Sequence, residues 1–148
     1  MTLVEVETAL DVCLKAREAL RRRWKKSPPL RNSPEFVAMR AESARLYDER
    51  RRLLDERLIA ALREKGLDAP IEYAVWAGEY SRPAHKRNIL TGLGVHTLGD
   101  AVARWSEISQ YRSVDLVRPI EWALCTHRYV IERTRTGYRL VRKPRWYF

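Results

Sequence analysis

Arg128, Arg133, Arg135, Arg139, Arg142, Lys143 and Arg145 crowd the end of the chain beside a single acid, Glu132, with Tyr138, Trp146, Tyr147 and Phe148 among them. Guanidinium and ammonium groups at that density bind phosphate oxygens. Trp146, inside the run Arg145-Trp146-Tyr147-Phe148, can stack on a base or enter a partner's pocket. A second constellation lies upstream, where residues 88–100 read NILTGLGVHTLGD and hold Gly92, Gly94 and Gly99, three of the chain's six glycines. The basic run His85, Lys86 and Arg87 precedes it and Trp105 follows. Glycine at a turn lets backbone N–H groups approach a phosphate, and a helix N-terminus adds partial positive charge. The same pattern also makes an ordinary corner between two helices.

Catalytic constellations are not found. His85, His96 and His127 occupy separate segments without HxxxH or HxH spacing, and no phosphate-binding loop, nucleophile elbow or GxGxxG run is present. Asp48-Glu49 and Asp55-Glu56 stand beside Arg50-Arg51-Arg52 and Arg57, where ion pairs at helical spacing account for them. Cys13 and Cys125 are far apart and lack zinc-ligand spacing, which fits a reducing compartment. The expectation is a non-enzymatic protein with no metal and no cofactor.

The whole chain supports a binding role. Its 148 residues carry 29 Lys and Arg against 19 Asp and Glu, a net charge of +10 whose field favours polyanions. Surface ion pairing of the arginines is the other reading of that composition. No apolar run nears the ~20 residues of a membrane span, and the acidic start MTLVEVETAL is unlike a signal peptide, so a cytoplasmic, membrane-free protein is expected.

These residues must be positioned by a mainly α chain. Leu3, Val6, Leu10, Cys13, Leu20 and Trp24 recur at helical spacing, predicting a helix to about Lys26, with Arg21, Arg22, Arg23, Lys25 and Lys26 on its outer face. Ser27-Pro28-Pro29 stops it. Ser33-Pro34-Glu35 combines an N-cap, a first-turn proline and a favourable carboxylate, predicting a second helix of about thirty residues that ends at Lys65-Gly66. Together they predict an antiparallel helical hairpin over residues 1–66, serving homodimerisation or partner docking, with Leu54 and Leu58 as partner-binding residues beside Trp146.

Residues 67–148 read as a small basic domain. Ile71, Tyr73 to Trp76 and Tyr80 predict a buried short helix ending near Gly78 or Arg82-Pro83, with a strand as the alternative. Thr97 can cap a helix that follows the glycine turn, with Asp100 in its first turn. Val130 to Arg133 and Tyr138 to Val141 predict a terminal β-hairpin around Thr134-Arg135-Thr136-Gly137. Trp24, Trp76, Trp105 and Trp122 are expected mostly as core or interface anchors.

The stretch from Asn88 to Val102 resembles the first helix-hairpin-helix segment of the C-terminal domain of the bacterial RNA polymerase alpha subunit, with a looser match through Ile120 to Leu124. That resemblance implies a small helical fold, a link to transcription and a minor-groove contact at Asn88, with Gly92 and Gly94 in the turn. His85 stands where the family has arginine, and Lys86 and Arg87 lie nearby. Ser113-Val114-Asp115-Leu116 replaces the family's Gly-Lys-Lys-Ser type turn and puts an acid where phosphate would lie. A helix from Ser113 to His127 followed by the hairpin Tyr129 to Arg142 is similar, instead, to the recognition helix and wing of a winged-helix domain. It implies phosphate or minor-groove contacts at Arg133, Arg135 and Arg139, with Arg142 and Lys143 extending the same basic element.

The expected activity is therefore nucleic-acid binding, DNA rather than RNA, with a protein such as RNA polymerase as a further partner. The alternative is an interaction module, such as a phage- or plasmid-encoded adaptor or inhibitor, docking on an acidic protein surface.

Overall fold

The computed structural model describes residues 1–24, 33–78 and 83–148. Lys25, Lys26, Ser27-Pro28-Pro29, Tyr80, Arg82 and the side chain of Trp24 lie outside the described residues. The chain is mainly α with a C-terminal two-stranded hairpin, and it divides into two compact units, Met1–Leu53 and Leu54–Phe148.

In the first unit, α1 (Leu3–Trp24) runs antiparallel to the opening turns of α2 (Pro34–Lys65). Both helices start on side-chain caps. Thr2 and Glu5 form a capping box, the Glu5 N–H donating to Thr2 Oγ1 at 3.2 Å and the Thr2 N–H to Glu5 Oε2 at 2.7 Å. The Phe36 N–H donates to Ser33 Oγ at 3.2 Å, as the Ser33-Pro34-Glu35 run predicts. Val6, Leu10 and Leu46 are buried at the centre, with Ala9, Cys13, Tyr47 and Leu53 packed against them. Many of this unit's cations already face acids at helical spacing, among them Lys15 with Asp11, Arg45 with Glu42, and Arg52 with Glu49.

The unit boundary falls inside α2 rather than after it, and Leu54, Leu58, Ala61 and Leu62 near its C-terminal end, all in the second unit, are buried. Leu54 and Leu58 are only 5% and 1% exposed, so they fill the interior and offer no docking face. Helix α2 ends as the sequence predicts, with Gly66 in the left-handed conformation at φ +57°.

Among the described residues five short α-helices follow: α3 (Ile71–Gly78), α4 (Pro83–Gly92), α5 (Leu98–Ala103), α6 (Trp105–Gln110) and α7 (Val117–Thr126). The stretch with two readings is thus a helix, and Ile71, Ala74 and Val75 bury its apolar face. Gly78 ends α3 against α7: a β-carbon there would fall on the Pro119 carbonyl. The Leu98 N–H donates to the Ala69 carbonyl at 2.8 Å and the Ile71 N–H to the His96 carbonyl at 3.0 Å, which ties the glycine segment to the start of α3. His127 Nε2 lies 2.8 Å from Asp55 Oδ1, fixing the end of α7 to α2 within the same unit.

Helix α7 is shorter than the expected span of Ser113 to His127. The Asp115 carboxylate accepts from the N–H groups of Val117 and Arg118, both at 3.1 Å, which sets the start, and Pro119 then sits in the first turn, where its missing N–H costs nothing. Arg128 closes the helix in a left-handed conformation, φ +65°, its N–H donating to the Cys125 carbonyl at 2.9 Å. The chain then enters β1 (Tyr129–Arg133) and returns through β2 (Tyr138–Arg142), with Tyr129 opposite Arg142 and Arg133 opposite Tyr138. Among the described residues no helix is long and apolar enough to cross a membrane.

Candidate nucleic-acid interface

The glycine segment forms the predicted corner, and its hydrogen bonds reveal what the glycines do. Gly94 adopts φ +77°, its N–H donates to the Thr91 carbonyl at 3.0 Å, and the Val95 N–H donates to the Leu90 carbonyl at 2.9 Å. That is a Schellman closure of α4, with its apolar pair, Leu90 and Val95, fully buried. The N–H groups of His96 and Thr97 both donate to Asp100 Oδ2, at 3.0 and 3.1 Å, and the Asp100 N–H donates to Thr97 Oγ1 at 3.1 Å. These bonds hold the Asp100 carboxyl below its usual pKa, the His96 and Thr97 N–H groups being the main cause.

Every backbone N–H from Leu93 to Leu98 therefore has an acceptor within the chain. A carboxylate occupies the position proposed for phosphate. The expected phosphate cradle at Gly92 and Gly94 is overturned by this arrangement: Gly94 closes a helix, Gly92 is an exposed helix-end residue with open space beside it, and Arg104 donates to the Leu93 carbonyl across the turn.

The neighbouring basic run is divided in the same way. His85 and Asn88 lie on the exposed side of α4, whereas Lys86 and Arg87 are half-buried. Arg87 lies 3.9 Å from the Glu72 carboxylate and 5.9 Å from the centre of the Trp76 ring. Arg87 thereby links α4 to α3.

The C-terminal hairpin is arranged otherwise. Arg133, Arg135, Arg142 and Arg145 are exposed and have no carboxylate partner among the described residues. Side chains alternate across a strand, so Arg133 and Arg142 share one face, while Arg135 stands at the turn held by the Thr134 N–H donating to the Gly137 carbonyl at 2.7 Å. On the opposite face Glu132 binds Arg139 at 2.6 Å and Lys143 at 2.7 Å. Lys143 first, then Arg139, hold the Glu132 carboxyl below its usual pKa. Five of the expected contacts thus lie on one element, three of them with free guanidinium groups and two engaged by Glu132.

No protein-family model, curated protein or solved structure matches the chain.

The hairpin packs chiefly on α5 and α7 and α4 chiefly on α3, so the two expected contact clusters are carried by different parts of the unit. Trp122, expected among the core or interface anchors, is not a core residue: it is 56% exposed on α7, on the side of that helix away from buried Ile120 and Leu124. Sequence reasoning passed over Phe148 as a site residue and Arg128 as a helix cap. The β-branched residues after Arg128 signal a strand, but nothing in its own type announces a left-handed residue. No three His, Cys, Asp or Glu side chains gather as metal ligands among the described residues.

Proposed function

We propose that the protein is a non-enzymatic nucleic-acid-binding protein whose interface is the hairpin and tail at 128–148. The distribution of charge carries this reading. Across 54–127 nine lysines and arginines stand against ten acids, whereas 128–148 holds seven against one, so the positive charge of the second unit resides in its last segment. There Arg133, Arg135, Arg142 and Arg145 point into solvent, and an unneutralised arginine cluster attracts a polyanion and forks onto phosphate oxygens.

DNA is the proposed partner, and a link to transcription rests on the resemblance at residues 85–124. An adaptor role through the N-terminal helices loses its docking residues, since Leu54 and Leu58 are interior. The test is retention of labelled DNA at low salt by the Arg133→Ala, Arg135→Ala, Arg142→Ala triple variant. Loss of at least about tenfold in affinity is expected, from three phosphate contacts each adding a counterion-release increment. Wild-type retention by the triple variant would contradict the proposal.

A further inference from the structure

The aromatic residues beside the arginines narrow the polyanion further. Large hydrophobic side chains exposed in the second unit, among the described residues, are Leu67, Trp122, Trp146, Tyr147 and Phe148. Four of these five are planar rings, three of them are consecutive, and Trp146 is 84% exposed. A small unit that buries Trp105, Leu98 and Ile120 has the means to bury apolar surface, yet it leaves Trp146, Tyr147 and Phe148 in water directly after the exposed Arg145.

The tail that carries them is ordered. The Tyr147 N–H donates to the Pro144 carbonyl at 3.1 Å and the Phe148 N–H to the Arg145 carbonyl at 3.3 Å. Lys143 lies 5.1 Å from the centre of the Tyr147 ring while bound to Glu132, and the rings of Tyr147 and Phe148 meet edge to face at 5.2 Å. Trp146 is therefore presented on a fixed turn, which lowers the ordering cost of using it as a contact.

Along the hairpin the cations run from Arg135 at the turn through Arg133 and Arg142 to Arg145, immediately before Trp146. Five paired residues extend about 17 Å. A duplex offers phosphates to such a row, but its bases are stacked on one another; an unpaired strand offers a π-face at every nucleotide as well.

We propose that 128–148 forms a track for single-stranded nucleic acid, with the sugar-phosphate backbone following Arg135, Arg133, Arg142 and Arg145 and a base stacked on Trp146. The inference rests on the nucleic-acid reading above and adds the strandedness of the ligand. Trp146 confers no base preference, because every base has a face to stack, and the arginines contact only backbone.

Fluorescence anisotropy of the full chain decides it, with a labelled oligothymidylate of about 16 nucleotides and a duplex of equal length as probes. The single strand is expected to bind at least about tenfold tighter than the duplex at the same salt concentration, and to quench tryptophan emission. Trp146→Ala should weaken the single-stranded probe about tenfold, Trp146→Tyr should restore most of that loss, and duplex affinity should not move. Equal or tighter duplex binding overturns the inference, as does a Trp146→Ala protein with wild-type affinity for the single strand. If neither probe binds at low salt, the nucleic-acid reading itself falls and takes this inference with it.

Discussion

The Glu132 carboxylate meets the Arg139 guanidinium at 2.6 Å from the position directly opposite on the hairpin, and it also binds Lys143. One acid thereby removes two cations from an otherwise basic element. Glu132→Gln frees both, so affinity for nucleic acid should rise severalfold and the salt dependence should steepen by up to about one unit of log–log slope. An anisotropy series over salt concentration checks this, and a variant indistinguishable from wild type would place the ligand elsewhere. The pH behaviour follows in sign. Lys143 and Arg139 depress the folded pKa of Glu132 below its ordinary 4.5, so the stabilisation is complete above that value and disappears only as pH falls through the lower folded one. Binding at neutral pH is insensitive to it.

Gly92 and Gly94 should respond in opposite directions. Gly94→Ala forces a β-carbon into a left-handed conformation, 2.9 Å from Arg104 Nη1, and should lower stability by about 1–2 kcal/mol. Gly92→Ala places a better helix former in open space and should raise stability by up to about 1 kcal/mol. Urea unfolding measures both. Neither substitution should change nucleic-acid affinity, since the turn's N–H groups already have acceptors; a selective loss of affinity in either would restore the turn as a contact.

Gly78→Ala should be the most damaging glycine change, because the new carbon collides with backbone at Pro119 and α3 and α7 must separate. About 2–3 kcal/mol of stability is expected to be lost, against a negligible effect for Gly137→Ala, where nothing lies within 4 Å. Equal unfolding midpoints for the two variants would contradict the packing of α3 on α7.

Arg128 carries a backbone strain that glycine would relieve. Its left-handed conformation caps α7, and its carbonyl accepts from the Lys143 N–H at 2.7 Å, so it begins the hairpin. Arg128→Gly should raise stability by about 1 kcal/mol and weaken nucleic-acid binding a few-fold through the lost charge. A thermal melt combined with anisotropy separates the two effects; a variant that is less stable would contradict the strain argument.

Much of the fold was legible where local chemistry decides it. Ser33, Gly66, Thr97 with Asp100, and the two β-prone runs each act within a few residues of themselves, and each stands where spacing placed it. What depended on distant packing was not legible. Leu54 and Leu58 have the same type and spacing whether they face a partner or the chain's own interior, and Gly78 gives no local sign that Pro119 lies against it. At the expected site the hairpin arginines are exposed, as charged side chains ordinarily are. Residue type could not show that Asp100 fills the glycine corner, because a carboxylate and a phosphate ask the same thing of a helix N-terminus.

Salt dependence of binding tests the central claim most directly. With Arg133, Arg135, Arg142 and Arg145 each neutralising a phosphate of a single strand, the logarithm of the association constant should fall against the logarithm of salt concentration with a slope of about −3. The Arg133→Ala, Arg135→Ala, Arg142→Ala protein should retain a slope of about −1. An affinity unchanged by salt, or a triple variant that keeps the wild-type slope, would contradict the account.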